Sequence, residues 1–101
     1  MKNFLHLFFL FFCSFVVAQK DTVSIQKLMD KAYSFEQNQP EKALQLYKKT
    51  HQLSLKANYN DGAYKSLLYS GIVYSNIGKY DSAKYYYNKT INFCKQSKTL
   101  I

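Results

Sequence analysis

Residues 71–87 read GIVYSNIGKYDSAKYYY. Two small residues, Gly71 and Ala83, and two aromatic ones, Tyr74 and Tyr87, stand on either side of Gly78. A glycine inside a helix costs about 0.5–1 kcal/mol relative to alanine, so Gly71 implies a close backbone approach that offsets the cost. The spacing predicts two antiparallel helices that cross at Gly71 and Ala83, with the rings of Tyr74 and Tyr87 filling the gap beside the crossing. Gly78 is placed to take the left-handed conformation after the last turn of the first helix.

Sliding the chain against itself shows that this unit recurs. At an offset of 40, Ala43 falls on Ala83, Tyr47 on Tyr87, Lys49 on Lys89, Thr50 on Thr90, and the turn residue Asn38 on Gly78. The first helices of the two units agree less well. Leu28 falls on Leu68 and Ala32 on Ile72, but Lys31 lies opposite Gly71 and Ser34 opposite Tyr74.

The periodicity predicts four helices and no strand. The first runs from about Thr22 to Gln37, with Ile25, Leu28, Met29, Ala32 and Tyr33 as one apolar stripe and Asp21 or Thr22 as its cap. Pro40 falls in the first turn of the second, where a missing N–H costs nothing, and Glu41 beside it suits the positive end of the helix dipole. That helix carries Ala43, Leu44, Tyr47, Thr50, His51 and Ser54 on one side, and Leu46, Leu53 and Leu55 widen the apolar arc, which implies neighbours on two sides. The third helix, capped by Asn60 or Asp61, runs to about Asn76 with Leu67, Leu68, Gly71, Ile72 and Tyr74 inward. The fourth starts at Asp81, with Tyr80 and Tyr85 as a hydrophobic staple and Ala83, Tyr87, Thr90, Ile91 and Cys94 along its packed face.

Ahead of these helices lies a segment of a different kind. Lys2 precedes an apolar run from Phe4 to Val17, and Val16-Val17-Ala18 offers a small-residue cleavage site, so residues 1–18 are expected to be a secretory signal peptide cut after Ala18. The run is shorter than the ~20 residues of a spanning helix, and the bulky Phe12 before Cys13 argues against a lipidated cysteine. Six of the eight phenylalanines leave with the signal. What remains, residues 19–101, has thirteen lysines against six acids, a balance of +7, and no arginine. Export and the missing guanidinium fork speak against nucleic acid as a partner of this segment. The lysines are scattered as on solvated helix faces; weak attraction to anionic lipid or polysaccharide is the competing reading.

Gly71-x2-Tyr74, followed by Gly78, Tyr80, Ala83-x3-Tyr87 and Thr90, resembles the tetratricopeptide repeat, whose pattern is W-x2-L-G-x2-Y, then A-x3-F, then P. Leu67 stands where the tryptophan would be, Ser70 replaces the leucine, and Lys95 lies near the expected proline. The offset of 40 exceeds the usual ~34 residues and resembles longer variants in exported or sensory bacterial proteins. The resemblance implies an all-α chain of about two antiparallel helix–turn–helix units, repeat one about 22–57 and repeat two about 61–97, forming a short right-handed solenoid. Because roughly three stacked units are needed to bury a continuous core, the chain is expected to be truncated or to continue. An unrelated four-helix bundle is the alternative fold.

No catalytic or metal-binding set is legible. His51 is the only histidine after the signal and falls opposite Ile91, as a packed or half-packed helix residue would. Zinc needs three or four ligands, a nucleophilic site needs a base and an orienting acid, and neither grouping occurs. Cys94 reads as a small buried hydrophobe. Tyr85, Tyr86 and Tyr87 point about 100° apart on a helix and make no flat stacking platform. The expectation is a non-enzymatic scaffold, with no cofactor and no metal, that binds a protein or peptide. Self-association is compatible with it, and membrane contact would come only through an uncleaved signal or a downstream segment. The resemblance places a groove on the first helices of the units: Lys65, Tyr69, Ile72 and Asn76, with Leu28 and Phe35. Gly71, Tyr74, Gly78, Ala83, Tyr87, Ala43 and Tyr47 are the packing residues.

Overall fold

Pro40, Asn60 and Tyr80 each open a helix, twenty residues apart, in the computed structural model, which describes residues 21–97. Helix α1 covers residues 21–35, α2 Pro40–Lys56, α3 Asn60–Asn76 and α4 Tyr80–Ser97. Among the described residues the structure is all-helical, without strands. The expected signal peptide lies outside the described residues.

The twenty-residue spacing has a simple origin. Helices α2 and α3 are each 17 residues long, and three-residue connections, 57–59 and 77–79, follow them. Both connections close in the same way. The Tyr59 N–H donates to the Ser54 carbonyl at 2.8 Å and the Lys79 N–H to the Tyr74 carbonyl at 2.9 Å, the six-to-one bond of a helix that ends in a left-handed residue. That residue is Gly78 in the second connection, as expected, with φ 81°. In the first it is Asn58, φ 54°, asparagine being the side chain that best tolerates this region after glycine.

Helices α2, α3 and α4 then begin alike. The carbonyls of Gln39, Tyr59 and Lys79 accept from the N–H groups of Ala43, Ala63 and Ala83. All three alanines are buried, where two helices come close near a turn. Seven residues further on, Thr50, Ser70 and Thr90 each donate a hydroxyl to the carbonyl four residues back, all at 2.8 Å. These three buried hydroxyls are thus satisfied within their own helices.

Helix α3 packs against both α2 and α4, and its burial shows it: Gly62, Ala63, Ser66, Leu67, Ser70, Gly71 and Val73 are all buried. Helix α1 joins through Ala32, which with Ala43, Tyr47 and Val73 forms the central apolar cluster; Phe35, Leu44, Leu46 and Tyr69 pack on it. The Tyr47 hydroxyl, fully buried, donates to the Glu36 carboxylate in the connection between α1 and α2. Burial first, then this bond, pushes the Tyr47 phenol well above its ordinary range.

The forty-residue correspondence holds in space for α2 and α4. Ala43, Thr50 and Ser54 are buried, and so are Ala83, Thr90 and Cys94; Tyr47 is buried where Tyr87 is half-buried. It fails for α1 and α3: opposite the buried Ile25, Met29 and Ala32 stand Lys65, Tyr69 and Ile72, all half-buried. The connection 36–39 has four residues where 77–79 has three, so the first helices do not keep the register of the second.

Several expectations need correction. Tyr33 is 70% exposed, because Ala32, one position round the helix, is the residue turned to α2. Leu55 and Ile91 are exposed as well. The expected cap of α3 is absent: its N-cap residue is Tyr59, which makes no side-chain cap bond, and Asp61, already inside the first turn, pairs with Lys65 instead. Asp81 likewise lies inside α4, which starts at Tyr80. Tyr80 and Tyr85 are 70% and 57% exposed and do not form a buried staple.

Candidate functional site

Lys65, Tyr69, Ile72 and Asn76 occur at helical spacing along α3, so they form one stripe, half-buried except for the exposed Asn76. Lys65 is committed within its own helix: its Nζ lies 2.9 Å from Asp61, and this bond, ahead of the opposing effect of burial, holds its ammonium above the usual range. The Tyr69 ring leans on Tyr47, with centroids 5.7 Å apart and planes at 59°. Phe35, from α1, packs on the same apolar cluster as Tyr69, and Lys42 places its Nζ 4.5 Å over the Phe35 ring. The structure therefore brings Phe35 and Tyr69 together around Ala32 and Tyr47. Leu28, Ile72, Lys65 and Asn76 stand outside that cluster.

Of the expected packing residues, Gly71 and Tyr87 meet closely, whereas Gly78 is exposed with open space around it. A Cβ built on Gly71 would lie 2.7 Å from Cε1 of Tyr87 and 3.4 Å from the Ala83 carbonyl oxygen. Tyr74 stacks on Tyr86, with centroids 5.4 Å apart and planes at 21°, and Tyr85 meets Tyr86 edge-on at 5.3 Å. The three successive tyrosines thus serve three different neighbours. A second close approach was not legible in the sequence: a Cβ on Gly62 would collide with Ser54 Oγ.

His51 spans α2 and α3. Its Nδ1 lies 2.9 Å from the Ala63 carbonyl, which only accepts, so Nδ1–H donates. Its ring meets Phe93 of α4 edge-on at 6.4 Å. Burial lowers its pKa below the usual imidazole value, nearby Lys89 adds to this, and the bond to Ala63 opposes it. Cys94 is buried and free, its thiol pushed up by burial, away from the reactive thiolate. Among the described residues no three His, Cys, Asp or Glu side chains gather as a metal site, and no helix is long and apolar enough to cross a membrane.

The other side of α3 carries a feature that the sequence reading passed over. Between α2 and α4 runs a trough of two adjoining hollows, about 370 Å³ and 170 Å³, which share Lys48, Ser70 and Tyr86. Its α2 wall carries Glu41, Gln45, Lys48 and Gln52 beside Leu44, Tyr47 and His51; its α4 wall is Tyr86 and Lys89. Glu41, Gln45, Lys48 and Gln52 recur at intervals of four, three and four, one polar stripe along a helix, and this signal was available. That the stripe faces α4 across α3 was not.

No family model, curated protein or solved structure matches this chain.

Proposed function

We propose that this chain is an exported protein-interaction scaffold of tetratricopeptide-like, right-handed solenoid form, without catalysis of its own, and that it serves as the sensory front part of a bacterial signalling or regulatory protein. One observation carries the reading: α2 and α4 bury matching residues at a spacing of 40, each packed on α3. An architecture of repeated helix pairs presents long side-chain stripes and supports recognition of an extended segment or a helix. The half-buried rings of Phe35 and Tyr69 then supply apolar contact, and Asn76 supplies a backbone hydrogen bond.

The test is selection of binding peptides from a random display library against the full chain. Selected peptides should lose most of their affinity on Tyr69→Ala and keep it in about 0.5 M NaCl, where the Debye length is only a few Å. Recovery of no peptide, with adsorption to anionic vesicles or polysaccharide that salt abolishes, would instead favour the basic-surface reading. Export is tested by N-terminal sequencing of the secreted product, which should begin at Gln19.

A further inference from the structure

We propose that the trough between α2 and α4 is a second docking site, and that its occupant is an extended acidic segment of another protein, held by Lys48 and Lys89. Lys48 lines both hollows, and Lys89 stands across from it on α4. Lys79 lines the larger hollow together with Glu41, the one acid on the walls, with which it forms no ion pair. Three ammonium groups against one carboxylate give the cleft a net positive charge, and a concave wall of one sign concentrates the opposite charge. Among the described residues the only ion pair is Lys65–Asp61; Lys48 and Lys79 have no acidic partner, and Lys89 lies 5.3 Å over the Tyr85 ring.

The shape selects a chain over a surface. A planar bilayer meets convex or flat basic faces, whereas this charge lines a furrow between two helices that both rest on α3. Gln45 and Gln52 flank Lys48 on the same stripe, and each amide offers a donor and an acceptor to a passing main chain. The stacked rings of Tyr74 and Tyr86 supply an apolar wall beside them. Ser66, Leu67 and Ser70 make the floor, the two serine hydroxyls already donated to carbonyls within α3.

This site shares no residue with the groove proposed above, so either can fail alone. The probe is fluorescein-labelled hexaglutamate, titrated by anisotropy with the full chain at low salt. The double variant Lys48→Glu/Lys89→Glu should weaken binding at least tenfold. The control Lys31→Glu/Lys84→Glu, which makes the same charge change at exposed positions outside the trough, should change it less than about threefold. The inference is overturned if the wild-type chain does not bind the peptide, or if both double variants weaken it equally, because long-range charge alone then explains it. It is also overturned if phosphatidylserine vesicles bind and hexaglutamate does not. Tyr69→Ala should leave hexaglutamate binding unchanged; an equal loss there would place the peptide in the other groove.

Discussion

Gly71 lies under the ring of Tyr87 so closely that a single added carbon would come within 2.7 Å of it. The crossing of α3 and α4 therefore depends on the absence of a side chain at one position and the presence of a ring at another. Gly71→Ala gains helix propensity of about 0.5–1 kcal/mol but overpacks the crossing, which typically costs 1–3 kcal/mol. The net effect is destabilisation by about 1–2 kcal/mol in urea unfolding. Ala83→Leu, at a position 3% exposed, should cost more and abolish a cooperative transition. A variant that melts like its parent would disprove the close crossing.

The two left-handed connections make a paired prediction. Around Gly78 an added Cβ meets nothing within 4 Å, so Gly78→Ala tests backbone conformation alone and should cost about 1–2 kcal/mol. Asn58, in the same region at φ 54° and exposed, should gain from Asn58→Gly by a few tenths to about 1 kcal/mol. Thermal melts of the two variants should move in opposite directions.

Ser54 is buried with no partner for its hydroxyl, and that oxygen faces the bare Cα of Gly62. A buried hydroxyl without a bond carries a desolvation cost of about 1–3 kcal/mol. Ser54→Ala should accordingly leave stability unchanged or raise it by up to about 1 kcal/mol. The cavity left by one oxygen is small. A loss above 1 kcal/mol would reveal a bond to that oxygen.

Tyr47 joins the core to the first connection through the Glu36 carboxylate. Tyr47→Phe keeps the ring and its contact with Tyr69 but leaves that half-buried carboxylate without its donor. Hydrogen bonds to charged groups contribute roughly 1.5–3 kcal/mol, and partial solvent access at Glu36 places the expected loss near the lower figure. Amide exchange in residues 36–39 should quicken more than in α3, because the bond holds that connection.

The helices were legible because their stripes are periodic and their breaks carry Pro40, Asn58 and Gly78. Matching at 40 residues found Ala43 with Ala83 and Thr50 with Thr90, yet the structural period is 20: Ala63 and Ser70 take the same places in α3. Hydropathy hid this, since Ser54, Ser66 and Ser70 are buried but score as polar, and a hydroxyl bonded to its own helix carries no sequence mark. Tyr33 was misread because a large ring beside a small Ala32 looks more like core than the alanine does. Gly62 was missed because glycine two residues into a helix resembles a turn. The trough required knowing that α2 and α4 flank α3, which no stripe on one helix reveals, and the face a partner would use is free of the packing constraints that write themselves into sequence.

The His51 imidazole gives stability a sign with pH. Burial holds its folded pKa below the unfolded value of about 6.5, so between the two values the unfolded chain binds the extra proton. Stability from this group is complete above about pH 6.5 and is lost as pH falls through the folded value. Protonation would not break the bond from Nδ1–H to the Ala63 carbonyl; the penalty is a charge half-buried beside the Phe93 ring and near Lys89. Urea midpoints should therefore decline between about pH 7 and pH 5, and in His51→Gln, which keeps an N–H donor and cannot titrate, the decline over that interval should flatten. A wild-type midpoint that is constant across the interval, or a slope that His51→Gln leaves unchanged, would show that some other group governs the acid sensitivity of the fold.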